Sequence, residues 1–138
     1  MRIVSRQAWV LLFLVGLGIA YFAYDNIVVI PALDPADPDR GWAWLTTDPA
    51  VIDYIKDWFR TFGYWVLAIA VLVIVISTTG FRQGQRWAWY SLLYLPVHLG
   101  IHMVIWPWAI PILAVLMAMT LAGLLLPFRI FFPSKNRG

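Results

Sequence analysis

The two histidines of the chain, His98 and His102, stand four residues apart in the stretch RWAWYSLLYLPVHLGIHMVIWP, residues 86–107. On an α-helix, positions four apart lie one above the other, and Tyr94 and Ser91 continue that face toward the N-terminus. Ser91, Tyr94, His98 and His102 thus make one polar seam on an otherwise apolar rod. Hydrocarbon solvates such a seam poorly, so it is expected to face protein, a ligand or water. Three chemistries suit the imidazole pair. The rings can hydrogen-bond to neighbouring helices and hold them together. They can ligate a metal or a tetrapyrrole, although zinc wants a third ligand and the chain has no cysteine to supply a thiolate. One helix also cannot present such a pair to the two axial positions of a single haem. Finally, a neutral imidazole poised near physiological pH can do acid–base work on a lipid-like substrate.

The surroundings that must hold this seam are a membrane. Of 138 residues, 62% are hydrophobic and 12% charged, against about 45–50% and about 25% in a soluble domain. The chain is read as an integral membrane protein. Lack of cysteine excludes disulfides, thioether-attached haem and thiol relays. The net charge of +3 is small and does not suggest nucleic acid binding. Nine tryptophans, six tyrosines and eight phenylalanines fit the headgroup region, where amphipathic rings collect.

After a basic start with Arg2 and Arg6, an apolar run covers residues 8–30, enough to span a bilayer. A cleaved signal peptide begins in the same way, but this run is long and no small-x-small site follows it, so a retained helix is expected. Pro31 is expected to end it. Pro31, Pro35, Pro38 and Pro49, among several aspartates, make the next segment an extramembrane loop, which Trp42 and Trp44 lay onto the interface. Asp48-Pro49 reads as a helix start, with aspartate capping free N–H groups and proline in the first turn. Val51, Ile52, Ile55, Trp58, Phe59 and Phe62 then share one face, and Asp53, Lys56, Asp57 and Arg60 the other. This amphipathic, interfacial helix either runs straight into the second span or bends at Gly63. The second span is placed at 62–79, where Ser77, Thr78 and Thr79 satisfy helix-end carbonyls. The third covers 87–106, with a kink at Pro96 that frees a carbonyl near Leu92. The fourth covers 109–126. Met103, Met117 and Met119 read as soft packing rather than a copper track, and Gly16, Gly18 and Gly100 as sites of close helix approach.

Four spans put both termini and the 80–87 turn on one side, with Arg2, Arg6, Arg82, Arg86, Arg129, Lys135 and Arg137. Seven of the ten basic residues lie there, and all seven acids, every one aspartate, lie on the other side with Arg40, Lys56 and Arg60. The excess of positive charge predicts cytoplasmic termini, in a bacterial or archaeal cell membrane. Depth then brings candidate groups to one level. Asp25 lies about as far from its helix end as His102 does from Trp106. Asp25, Asn26, Arg60, Tyr64, Tyr94, His98 and His102 are therefore expected to line an outward-facing pocket, in which Asp25 pairs with His102 or Arg60. A buried aspartate in a span costs about 2.5–3.5 kcal/mol and wants such a partner. The alternative is that Asp25 only marks the helix end and meets headgroup water.

The turn GFRQGQRWAWY, residues 80–90, resembles the inner loop of small four-helix bacterial membrane proteins, where a basic Gly-x-x-x-Gly turn leads into a Trp-x-Trp helix start. Four spans with polar groups in the third are also similar to the sterol-isomerase-related (EXPERA) and DoxX-like bundles. The isomerase resemblance implies a cavity for a lipophilic cation or sterol. This chain has no glutamate to match the acidic pair expected there, and no catalytic residue is carried over.

The sequence therefore predicts one all-α membrane domain over residues 1–138, a four-helix transmembrane bundle with an extracytoplasmic amphipathic helix within the 31–61 segment. Two functions are expected from it. The first is a non-catalytic small subunit or interaction protein of a larger membrane complex, packing against other membrane subunits through aromatic-rich helices, with no cofactor. The second is a small lipid- or isoprenoid-binding protein or enzyme using the pocket around Asp25, His98 and His102, with a bound lipid or a tetrapyrrole as possible occupants.

Overall fold

A computed structural model describes residues 7–37 and 45–133. It has four helices long and apolar enough to cross a membrane: α1, Ala8–Ala32; α2, Pro49–Phe81; α3, Arg86–Ile105; α4, Pro107–Phe131. No strand occurs among the described residues. The expected spans are all present, each within a few residues except the second. Arg2, Arg6, Trp42, Trp44, Lys135 and Arg137, which carried part of the orientation and loop readings, lie outside the described residues.

The helix ends follow from local chemistry. Asp48 Oδ1 accepts the Ala50 N–H at 2.9 Å, which satisfies one of the free donors of the first turn of α2. From Pro49 the α-helix runs unbroken to Ile76, so the 49–61 segment is continuous with the second span and the helix does not break at Gly63. The full 33 residues of α2 reach about 50 Å, beyond the roughly 30 Å of a bilayer's hydrocarbon. Its charged first turns therefore need not enter lipid. Helix α1 does not stop at Pro31. It widens to i→i+5 bonding over Asp25–Val29, where Ile30 N–H donates to Asp25 O, and ends at Ala32. Proline has no N–H and its ring crowds the carbonyl four residues back, and a wider turn relieves both. At the other end of α2, Ser77, Thr78 and Thr79 each donate a hydroxyl to a carbonyl one turn earlier, at 2.6, 2.8 and 2.6 Å. Gly84 turns the chain into α3 at φ 74°, a backbone setting that a Cβ disfavours.

The chain divides into two compact units, 1–18 with 72–138, and 19–71. In the first, four helix segments meet through small residues. A Cβ on Gly16 would lie 2.6 Å from Ile74 Cγ1, and one on Gly123 2.8 Å from Leu12 Cγ, so α1 approaches both α2 and α4 closely. The core holds Leu12, Val15, Leu92, Leu95 and Leu124. Trp89, also buried, donates its indole N–H to Leu124 O at 3.0 Å, which ties α3 to α4. Replacing Trp89 with Phe should lower stability by about 1 kcal/mol through that bond alone, read as a lower midpoint of thermal unfolding in detergent. Arg86 Nε donates to Phe131 O at 2.9 Å, and Phe81 packs on Phe131 at 4.7 Å between ring centres.

In the second unit Gly63 lets α2 close on α1. A Cβ there would meet Ile27 Cγ1 at 2.5 Å and the Ala23 carbonyl at 3.1 Å. Phe22 meets Phe62 edge to face at 6.5 Å, and Phe62 stacks on Trp58 at 5.7 Å.

Candidate functional site

Helix α3 is interrupted at Leu93, three residues before Pro96, between segments Arg86–Leu92 and Tyr94–Ile105. The missing proline N–H accounts for a break one turn upstream, as the sequence predicts. Beyond it the chemistry-bearing side chains stack as one column. Tyr94 Oη lies 3.0 Å from His98 Nδ1. His98 and His102 have ring centres 4.2 Å apart, and Trp106 follows at 4.8 Å from His102.

The hydrogen bonds constrain the tautomers. His102 Nδ1 lies 2.9 Å from the His98 carbonyl oxygen. A carbonyl only accepts, so His102 carries its proton on Nδ1, and its Nε2 lone pair is free when the ring is neutral. For His98, the Tyr94 hydroxyl suits either role. Among the described residues neither Nε2 has a hydrogen-bond partner. Ser91, the first expected member of the seam, instead donates to Trp87 O at 2.9 Å, back into its own helix. Trp106, read from sequence only as an aromatic cap, completes the column. The signal was its position four residues after His102.

The column does not point into the core. The buried side of α3 is Ala88, Leu92, Leu95 and Leu99, and the seam at 91, 94, 98 and 102 is offset from that stripe by one residue, about 100° of helix rotation. Both imidazoles are half-buried and Tyr94 is 55% exposed. The seam is therefore a flank of the first unit, not its interior.

The remaining predicted residues belong to the second unit. Asn26 is 2% exposed, and its amide donates to Phe22 O at 2.8 Å. That bond back to the same helix satisfies a buried polar group without a ligand. Arg60 pairs with Asp57 at 2.9 Å, on the surface, in place of the expected pairing with Asp25. This is the i,i+3 geometry that the helix surface favours. Asp25 is half-buried in the widened turn of α1, and its carboxylate has no hydrogen bond or ion pair among the described residues. Tyr64 is exposed.

No group of three or more His or Asp side chains able to hold a metal occurs among the described residues. An open, mostly apolar groove of about 270 Å³ lies in the first unit, lined by Gln7, Ala8, Val10, Leu11 and Leu126, and neither histidine borders it.

Fold and site together define a multi-pass helical membrane protein with a polar aromatic column on one flank of its third span. Comparison of the chain with known protein families, curated proteins and solved structures found no match.

Proposed function

We propose that the chain is a small integral-membrane subunit or interaction protein of a larger membrane assembly, docked through the Tyr94–His98–His102 flank of α3. The observation that carries this reading is that the column lies beside the core-facing side of α3, not on it. A row of hydroxyl and imidazole groups within a span is poorly solvated by acyl chains, and this chain leaves it only half covered. A neighbouring membrane helix with polar side chains supplies what lipid lacks. Exposed Trp87, Tyr90, Tyr94 and Trp108 on and just after the same helix enlarge the contact with aromatic surface.

The orientation that fits this reading puts both termini in the cytoplasm of a bacterial or archaeal cell. Arg82, Arg86 and Arg129, at the 82–86 turn and the last turn of α4, support it. The amphipathic first turns of α2 then lie at the outer surface, with Asp53, Lys56, Asp57 and Arg60 in the headgroup region.

Extraction in mild detergent followed by native mass spectrometry tests the reading. The expected result is an assembly containing this chain and at least one other membrane polypeptide. A lone chain carrying a lipid, isoprenoid or pigment would move the assignment to a small lipid-binding protein. A lone chain with nothing bound would sink the interaction reading.

A further inference from the structure

The histidine column has a property that covering by a partner does not require: both rings are held by their Nδ1 atoms, and neither Nε2 has a hydrogen-bond partner among the described residues. Metal-ligating histidines show this arrangement, with the distal nitrogen hydrogen-bonded to a carbonyl or another fixed group so that tautomer and ring orientation are set in advance. Here the His98 carbonyl holds His102 Nδ1, and the Tyr94 hydroxyl holds His98 Nδ1. We propose that His98 and His102 form a bidentate half-site for a divalent first-row transition ion, bound through the two Nε2 atoms.

The spacing suits this chemistry. Two imidazoles sharing one ion at about 2.0–2.1 Å per nitrogen place their ring centres about 5 Å apart, close to the 4.2 Å between these rings. His98 takes the tautomer in which Nδ1–H donates to the Tyr94 oxygen, which makes Tyr94 a positioning residue rather than a ligand. His102 stands three residues before the end of α3 at Ile105, about 5 Å along the axis, and His98 about 10 Å, so the pair lies toward one end of the helix. Imidazole nitrogen suits Cu(II), Ni(II) and Zn(II), and Cu(II) binds tightest in that series. Two protein donors leave the other positions to water or, where the flank is covered, to the neighbouring subunit. Only that last completion rests on the interface reading.

The test uses the full chain in detergent, stripped with a chelator and titrated with Cu(II) alone and Zn(II) alone. The expected result is one ion per chain, with nitrogen superhyperfine structure in the Cu(II) electron paramagnetic resonance spectrum indicating two imidazoles. His98→Leu and His102→Leu should each weaken Cu(II) binding at least tenfold and remove one nitrogen from the spectrum. Tyr94→Phe should keep both nitrogens and weaken binding roughly 10–100-fold, the range for loss of a group that orients a ligand. His102→Gln, with helicity checked by circular dichroism, guards against a folding defect. Binding that persists unchanged in the double histidine variant, or a spectrum without ring nitrogens, overturns the site. Native mass before and after chelation separates this from the interface. A chain that keeps its partner yet binds no ion overturns only the metal site, and a lone chain that binds the ion upholds it.

Discussion

Gly123→Val is expected to loosen the packing of α1 on α4 and to lower the stability of the first unit by about 1–3 kcal/mol, the range for overpacking a filled core. Even the first added carbon would sit 2.8 Å from Leu12 Cγ and 3.0 Å from Cδ2. Leu12 is completely buried, so it has no open side to swing toward. The Ala8 carbonyl, 3.5 Å from the same point, limits any sliding of the backbone. Helices in lipid gain little from excluding water and associate through close packing and hydrogen bonds, so the lost approach is not recovered elsewhere. The check is a pair of unfolding measurements in micelles. Gly123→Ala and Leu12→Ala should each destabilise, and the double variant should be more stable than their sum predicts, because the new methyl fills space that the leucine vacates. Strict additivity would show that the two residues do not meet.

The second large effect concerns association. Replacing His98 and His102 together with leucine should leave the helical bundle folded and release the partner. Hydrogen bonds between membrane helices average about 0.6 kcal/mol and reach about 1.7. Losing two therefore weakens the complex by about 1–3 kcal/mol, roughly 5–150-fold. The fold is spared because neither ring bonds to another helix among the described residues. Their partners are Tyr94 and the His98 carbonyl, both on α3. Leu99→Ala is the contrasting variant. Leu99 is buried on the core side of the same helix, and its truncation should lower bundle stability by about 2–5 kcal/mol. Pull-down yield and thermal melting, measured on both variants, separate the two faces. A histidine variant that melts like the leucine one would place the column in the structure of the bundle and remove it from docking.

Much of the scaffold could be read in advance because its determinants are local. Apolar runs of span length, the Asp48-Pro49 start, the serine and threonine bonds at the end of α2 and the effect of Pro96 depend on neighbours within a turn or two. The misses have local causes as well. Pro31 is tolerated because the preceding turn widens, a response that residue types do not announce. Arg60 found Asp57, three residues away, before any acid on another helix.

The candidate site was legible as a column but not as a direction. Periodicity groups Tyr94, His98 and His102 on one face of α3, and their spacing alone is enough for the stacked rings and the Nδ1 bonds. Which way that face turns is a different matter. In a soluble helix the apolar stripe marks the inside, but a membrane helix is apolar all round, so hydrophobicity names no interior face. Rotation was decided by packing: Ala88, Leu92, Leu95 and Leu99 fill the core, and the polar column, one residue out of step, is left on the flank. The chain by itself determined that there are four apolar helices of span length and how the imidazoles align, because those depend on helix geometry and nearby residues. Only the tertiary structure decided that the imidazoles stand at the edge, because close packing between helices, not polarity, sets the rotation of a helix in lipid.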